Sequence, residues 1–166
     1  MKIKSLVSLG TAALLSMSVA TTAVAEDRVL LKLPVWFGTH LTGLGSSPLF
    51  FADTVNKASN GSVKVRIYEP GKLVATKEML ESVSNGSVNA GWGTPGYNTG
   101  LLGKKAAIFS AVPFGPEAPE FMAWVYYGGG RELWQKLYDD AGYNVHAVPC
   151  SIIAPETSGW FTKEIN

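Results

Sequence analysis

The pentapeptide SNGSV occurs twice in the chain, as residues 59–63 and again as residues 84–88. An amphipathic segment with helical periodicity precedes each copy, and a short apolar segment follows it. Asn-Gly commonly ends a helix, because asparagine and glycine tolerate the left-handed conformation that follows the last turn. Each copy therefore predicts the end of a helix, a left-handed turn and the start of a strand.

The strands predicted around these repeats define the fold class. Residues 29–35 read VLLKLPV, an apolar stretch typical of a buried strand. After the first repeat, Val63, Val65 and Ile67 alternate with polar residues, as in a strand buried on one face. With the apolar run of residues 88–92, the order becomes strand, helix, strand, helix, strand. This order favours an α/β fold with a mainly parallel sheet.

Helices are predicted between these strands and beyond them. Ser46 and Ser47 precede Pro48, a serine cap followed by proline in the first helical turn. A second helix is predicted over residues 76–84. The pattern further predicts a strand over residues 106–112, a helix over 117–127, a helix from residue 133 to near residue 142, and a strand over 143–148.

Composition excludes several classes of protein. The chain has 166 residues and a formal net charge of +1, whereas a dedicated nucleic-acid binder carries a basic surplus. It is 46% hydrophobic and 16% charged, too apolar for a disordered chain. The single cysteine, Cys150, excludes a disulfide framework and a cysteine-based zinc cluster.

Residues 1–25 have the three parts of a secretory signal peptide. Residues 1–4 are basic, residues 6–20 are apolar, and residues 23–25 (AVA) form a small-x-small cleavage site. The apolar run is shorter than the roughly 20 residues of a transmembrane helix, so an uncleaved anchor is the less favoured alternative. We expect a cleaved leader and an exported mature chain over residues 26–166.

Motifs of common enzymes are missing from the sequence. It contains no Gly-x-Ser-x-Gly elbow, no phosphate-binding loop and no His-Glu-x-x-His helix. The two histidines, His40 and His146, are far apart, and no nucleophile stands at a suggestive spacing from either. A secreted hydrolase that uses one of them is the enzymatic alternative.

Aromatic and hydroxyl side chains follow two of the predicted strands. Trp36 comes directly after the first strand, and Trp92, Thr94 and Tyr97 lie in the glycine-rich loop after the third. Ligands of open parallel sheets bind beyond the carboxyl ends of the strands. We therefore predict that Trp36, Thr94 and Tyr97 contact a ligand, with the alternative that the tryptophans belong to the core.

Glu156 is the third candidate for a ligand site. It stands in the hydroxyl-rich segment PETSGWF, residues 155–161, just before a predicted strand. A solvent-facing loop carboxylate is the alternative interpretation.

Five stretches of the mature chain carry a family resemblance. They are YEPGKL at residues 68–73, MLESVSNGSV at 79–88, VPFG at 112–115, WVYYGGG at 124–130 and GWFTKEIN at 159–166. Together they resemble the solute-binding proteins of TRAP transporters, the DctP-type family. The Pro-Phe-Gly, Gly-Gly-Gly and Gly-Trp-Phe blocks are most similar to the branch that binds 2-oxo acids and 2-hydroxy acids such as pyruvate or lactate.

The resemblance implies a periplasmic-binding-protein-like fold of two α/β lobes, with the ligand carboxylate held in the cleft between them. Family members are considerably longer than this chain, so residues 26–166 are expected to form mainly the N-terminal lobe. The arginine that anchors the ligand carboxylate in the family is expected beyond residue 166.

The resemblance also implies roles for two residues. In the resembled branch, the residue four before the Trp of Gly-Trp-Phe helps to coordinate a cation that bridges to the ligand. Here that residue is Glu156, a hard oxygen ligand suited to Na⁺ or Ca²⁺. Tyr97 matches the position of a pocket tyrosine in that branch. Glu156 is thus expected to bind both the metal and, through it, the substrate.

The function implied by the resemblance is capture of a small carboxylate in the periplasm and its transfer to the membrane subunits of a TRAP transporter. No catalysis is expected and no cofactor is required, apart from the bridging cation. Besides the hydrolase, a ligand-binding receptor that feeds a sensor is a second alternative. Some relatives form homodimers, and the intact protein could do the same.

Overall fold

A computed structural model describes residues 28–152 and 161–164 of the chain. Its first unit is a β-α-β motif of strand β1 (Val29–Pro34), helix α1 (Ser46–Ala58) and strand β2 (Val63–Tyr68). The strands pair in parallel, from Val29 opposite Val63 to Pro34 opposite Tyr68. The predicted parallel arrangement of these two strands is confirmed. The expected leader and Glu156 lie outside the described residues.

The repeated pentapeptide forms left-handed turns, as predicted. Asn60 and Gly61 have φ angles of 48° and 88° after α1, and Gly86 has a φ of 79° after the second helix. In the second copy glycine alone is left-handed, because Asn85 keeps a φ of −89°. The Asn85 side chain instead accepts a hydrogen bond from the Ser87 N–H at 2.9 Å.

Side-chain amides cover both outer edges of the two-stranded sheet. Asn56 donates to the Val65 carbonyl at 3.2 Å and accepts from the Val65 N–H at 2.7 Å. Asn89 accepts from the Lys32 N–H at 2.8 Å and donates to the Leu30 carbonyl at 2.7 Å. Each carboxamide satisfies one donor and one acceptor that a further strand would otherwise pair.

The third predicted strand, residues 88–92, is reduced to a single β-bridge. A parallel bridge joins Trp92 to Val35, and the Trp36 N–H donates to the Trp92 carbonyl at 3.0 Å. Upstream of the bridge, the Asn89 side chain occupies the edge of β1 in place of backbone groups. The apolar run therefore lies beside β1 as predicted, but without a continuous ladder.

Short helices are the other regular elements of the described chain. They are a 3₁₀ turn Thr76–Glu78 leading into α2 (Met79–Ser84), a 3₁₀ helix Pro95–Asn98 leading into α3 (Thr99–Leu102), a 3₁₀ helix Lys104–Phe109, α4 (Ala118–Tyr127) and α5 (Gly130–Asp140). The predicted helices over residues 76–84 and 117–127 are confirmed. The last helix begins at Gly130, earlier than predicted, because Gly129 with a φ of 85° allows a sharp turn directly after α4.

The strand predicted over residues 106–112 is wrong. Ala106 and Phe109 are buried in a 3₁₀ helix, while Ala107 and Ile108 between them are exposed. Spacing of three residues matches one turn of a 3₁₀ helix, in which side chains i and i+3 lie on the same face. The apolar run has this spacing, and apolar composition alone did not distinguish it from a strand.

The strand predicted over residues 143–148 is not formed in the described structure either. A side chain of α5 takes the place of a strand neighbour, since Gln135 donates to the Val145 carbonyl at 2.8 Å. The Ala147 N–H donates back to the Gln135 side-chain oxygen at 2.9 Å. The segment is thus held by a carboxamide rather than by a ladder.

The serine cap predicted for α1 is wrong in detail. Ser46 and Ser47 lie inside the first turn, and Gly45 stands at the cap position. Both hydroxyls turn back to Gly43: the Gly43 N–H donates to Ser46 at 3.0 Å, and Ser47 donates to the Gly43 carbonyl at 2.9 Å. Pro48 is in the first turn, as predicted, and is buried.

Two hydrophobic clusters hold these elements together. The first, beneath the sheet and α1, has Leu33, Ala52 and Val65 at its centre. The second joins α2, α3, the 3₁₀ helix Lys104–Phe109 and α5 through the buried side chains Leu80, Leu102, Ala106, Phe109 and Leu137. None of the helices in the described ranges has the length and apolar character needed to cross a bilayer.

Candidate functional site

The carboxyl end of β1 brings two loops together. The bridge between Val35 and Trp92 places the loop after β1 beside the glycine-rich loop that begins at Gly91. Gly93 permits the close contact, because a Cβ atom there would lie 2.9 Å from Trp36 Cδ1. The two segments that carry the predicted ligand residues therefore meet at one edge of the sheet.

Three aromatic rings pack at this edge. The Tyr97 ring lies 5.3 Å from the Trp36 ring, with their planes tilted by 57°. It also meets Phe37 edge-on, at 5.8 Å between ring centroids. Trp36 is half-buried, whereas Tyr97 is 65% exposed and so retains most of its surface for contacts beyond this unit.

A cavity of about 540 Å³ opens next to these rings. Its volume falls within the range of sites for small molecules. The side chains that line it are apolar or hydroxyl-bearing, and among them are Phe37, Thr42, Ser47, Trp92, Thr94, Phe109, Ser110, Phe121, Trp124 and Ser151. No charged side chain is among the described residues that line it.

The predicted ligand residues do not all face this cavity. Thr94 lines it, together with the partly buried Trp92. Trp36 lines a second cavity of about 450 Å³ on the side of α2 and α5, which Thr94 and Trp92 also border. Tyr97 lines neither. A direct role for Trp36, Thr94 and Tyr97 in binding stays a prediction, as does that of Glu156.

A pair of hydroxyls in the wall of the larger cavity is the feature that sequence reasoning missed. The oxygens of Thr94 and Ser110 are 2.5 Å apart. The Gly96 N–H also donates to the Ser110 hydroxyl, at 2.8 Å. Ser110 lies within the segment of residues 106–112 that was predicted as a strand, and a single serine 16 positions from Thr94 gives no spacing signal in the sequence.

An acid at the end of β2 fixes the loop after β1. The Thr39 hydroxyl donates a hydrogen bond to the Glu69 carboxylate, directly after β2. The backbone N–H of Thr39 donates a second one, at 3.2 Å. These hydrogen bonds hold the pKa of the Glu69 carboxyl below its ordinary value of 4.5, and the bond from the hydroxyl has the larger effect. The nearby His40 acts in the same direction. Glu69 is thus a fixed anion that ties the loop to the sheet.

The histidines of the enzymatic alternative are exposed and lie in different places. His40 lies in the loop tied by Glu69, and His146 borders the smaller cavity. In the described part of the chain, neither ring forms a hydrogen bond to a serine or threonine hydroxyl or to the cysteine thiol. The described residues also contain no group of three His, Cys, Asp or Glu side chains that could hold a metal ion.

Comparisons with known proteins point to one family. The family of bacterial extracellular solute-binding proteins, family 7 (DctP), matches residues 39–148. The monocarboxylate 2-oxoacid-binding periplasmic protein of Nostoc is 36% identical over 116 residues, which is 69% of this chain and 30% of that protein.

Two solved structures are similar in fold and sequence. A TRAP periplasmic solute-binding protein from Pseudoalteromonas atlantica, with bound sodium and pyruvate, has a TM-score of 0.63 and 30% identity. One from Colwellia psychrerythraea, with bound calcium and pyruvate, has a TM-score of 0.62 and 32% identity. In each case the match covers 69% of this chain and 35% of the other. The chain therefore spans about a third of the length of these relatives.

Proposed function

Since this chain belongs to family 7 of the bacterial extracellular solute-binding proteins, we propose that the protein it forms captures a small organic acid in the periplasm for uptake by a TRAP transporter. The observation that carries this proposal is the neutral cavity of about 540 Å³ at the carboxyl end of β1. Residues 1–25 would direct export and be removed. The membrane subunits of the transporter would then receive the loaded protein.

A small 2-oxo or 2-hydroxy acid is the ligand class that suits this cavity. The cavity wall combines aromatic rings, which exclude water, with hydroxyl groups, which can bond to the oxygens of the ligand. The Nostoc relative is a monocarboxylate 2-oxoacid-binding protein, and two similar structures contain bound pyruvate. We therefore assign pyruvate or lactate as the first ligands to test.

The negative charge of such a ligand needs a partner. An ionised carboxylate is costly to remove from water without a compensating charge, and the described cavity wall carries none. A cation bound by Glu156 and by the ligand carboxylate would supply it, with Na⁺ and Ca²⁺ as the ions found beside pyruvate in the two similar structures.

Calorimetric titration of the whole gene product tests this proposal. We expect pyruvate or lactate to bind without turnover, and binding to weaken at least tenfold when Na⁺ and Ca²⁺ are removed. Glu156→Ala is expected to abolish the dependence on the cation, whereas Glu156→Gln keeps an oxygen ligand and should lose preference for Ca²⁺ over Na⁺.

Glu164→Gln is the matched control, because it removes the same charge from an exposed acid near the end of the chain. It is expected to leave the titration unchanged. Absence of binding to every 2-oxo and 2-hydroxy acid, or chemical conversion of any of them, would overturn the proposed function.

A further inference from the structure

The hydroxyl pair of Thr94 and Ser110 has one hydrogen that the contact between the two oxygens does not use. A hydroxyl group carries one hydrogen and two acceptor sites. Ser110 uses one acceptor site for the Gly96 N–H, at 2.8 Å. The 2.5 Å contact between the two oxygens consumes a single hydrogen, whichever hydroxyl donates it. Among the described residues, one of the two hydroxyl hydrogens is therefore left for a third group, in both possible arrangements.

Two hydrogen bonds fix the position of this pair. Gly96 has no side chain, and a Cβ atom added there would overlap the Ser110 hydroxyl. The Gly96 N–H holds the Ser110 oxygen in place, and that oxygen in turn holds Thr94. Both residues are partly buried and both line the cavity of about 540 Å³. A donor that is already oriented loses little entropy when a ligand arrives.

Other hydroxyls of the cavity are less suited to this task. The Ser47 hydroxyl is already donated to the Gly43 carbonyl at 2.9 Å. Thr42 and Ser151 are exposed, and no hydrogen bond orients their side chains in the described structure. The Thr94–Ser110 pair is the donor that the fold has positioned.

We infer that the Thr94–Ser110 pair donates its spare hydrogen to the 2-oxo or 2-hydroxy oxygen of the bound acid, which makes Ser110 a specificity-determining residue. This inference rests on the proposed function. A neutral hydroxyl matches a neutral oxygen, whereas the ligand carboxylate takes its stronger bonds from charged partners. The pair also keeps a free acceptor site on Thr94, which can serve the hydrogen of a 2-hydroxy group.

Two variants of Ser110 test the inference in the whole gene product. Ser110→Ala removes the oriented hydroxyl, and Ser110→Cys replaces it with a weaker donor of similar shape. Each is expected to weaken pyruvate binding by about 3- to 10-fold, the effect of one neutral hydrogen bond. Thr94→Val is expected to cost less than about 3-fold, because Ser110 stays bonded to Gly96 and keeps a hydrogen for the ligand.

Carbon-13 spectra of bound pyruvate separate a direct contact from a structural role. A purely structural role of Ser110 would not change the C2 chemical shift selectively. At saturating ligand, [2-¹³C]pyruvate should show a downfield C2 resonance in the unmodified protein and in Thr94→Val. In Ser110→Ala the C2 resonance should return toward its free position, while the resonance of [1-¹³C]pyruvate stays unchanged. Ser87→Ala, a change of the same kind in a turn whose hydroxyl bonds Asn85, is the control.

The outcomes separate the inference from the proposed function. If the unmodified protein does not bind pyruvate or lactate, the proposed function fails. If it binds and Ser110→Ala leaves affinity and the C2 resonance unchanged, the inference alone fails. The inference also fails if C1 and C2 move together, or if Ser110→Ala and Ser110→Cys both lose binding completely while folded. A selective C2 change with a modest loss of affinity supports it.

Discussion

The unit formed by β1, α1 and β2 and the region over residues 94–150 are held together by different means. In the first, two strands share a parallel ladder from Val29 to Pro34, and the Asn56 and Asn89 side chains cover its edges. In the second, short helices pack on a cluster of aliphatic and aromatic side chains, and hydrogen bonds to the side chains of Gln135 and Ser84 hold the extended segment.

This difference shows how far local pattern determines structure. A ladder imposes alternation on the sequence, because every second side chain enters the core. Packed short helices impose no such regularity, since each one contributes only one or two buried side chains. The site lies on the border between the two: the Val35–Trp92 bridge belongs to the sheet, and Ser110 belongs to the helices.

The largest expected effect separates the two cores. Leu33 is 3% exposed beneath the ladder, and Leu137 is 4% exposed in the second cluster. Each Leu→Ala change is expected to lower the local free energy of unfolding by about 2–5 kcal/mol. The loss for Leu33→Ala should lie at the upper end of this range. Paired strands cannot move to fill the space left by the removed side chain as readily as short helices can.

Native-state hydrogen exchange of the β1 and α5 amides in the whole gene product measures both effects separately. Leu133→Ala is the control, since Leu133 is 51% exposed on α5 and its loss should change the free energy by less than about 0.5 kcal/mol. A larger loss for Leu137→Ala than for Leu33→Ala would contradict the ranking.

Sequence pattern predicted the first region well. Alternation at Val63, Val65 and Ile67 identified β2, and the two Asn-Gly turns were located correctly. The strands predicted over residues 106–112 and 143–148 failed for different reasons. The former has the three-residue spacing of a 3₁₀ helix, and the latter depends on a glutamine 10 positions away in sequence from Val145.

The candidate site was predictable only in its location. The rule that ligands bind beyond strand ends placed Trp36 and Thr94 at the same edge, and the structure brings their loops together. It could not foresee that Trp36 and Tyr97 do not line the larger cavity. Ser110 was invisible to sequence reasoning because its partner Thr94 is joined to it only through tertiary structure.

The next effect concerns the side-chain amides. Gln135→Met removes both hydrogen bonds to the segment of residues 145–147, and Asn89→Leu removes both to β1. Each change removes two hydrogen bonds to the backbone, at about 0.5–1.5 kcal/mol for each bond. Gln135→Met also removes the bond that Gln135 donates to Asp139 at 2.9 Å within α5. Exchange of the Ala147 amide should accelerate more than that of the Lys32 amide, because β1 stays paired with β2 on its other side.

Gln135→Glu sharpens this comparison. The carboxylate still accepts from the Ala147 N–H but repels the Val145 carbonyl and the Asp139 carboxylate, so the Ala147 amide should lose protection although its acceptor is kept. Equal acceleration at Ala147 and Lys32 in the two amide-deleted variants would show that the two regions are held alike.

The smallest expected effect depends on pH and tests how firmly the site loop is tied to the sheet. Because the Thr39 hydrogen bonds lower the folded-state pKa of Glu69 below 4.5, they stabilise the fold above pH 4.5. That contribution is lost as the pH falls through the folded-state pKa.

Thr39→Val should therefore raise the Glu69 pKa toward 4.5, which carbon-13 titration of the Glu69 carboxyl measures. The same variant should destabilise the loop at neutral pH but not in acid. In a Glu69→Gln background the same substitution should have no pH dependence; a pH dependence that persisted there would assign the effect to another group.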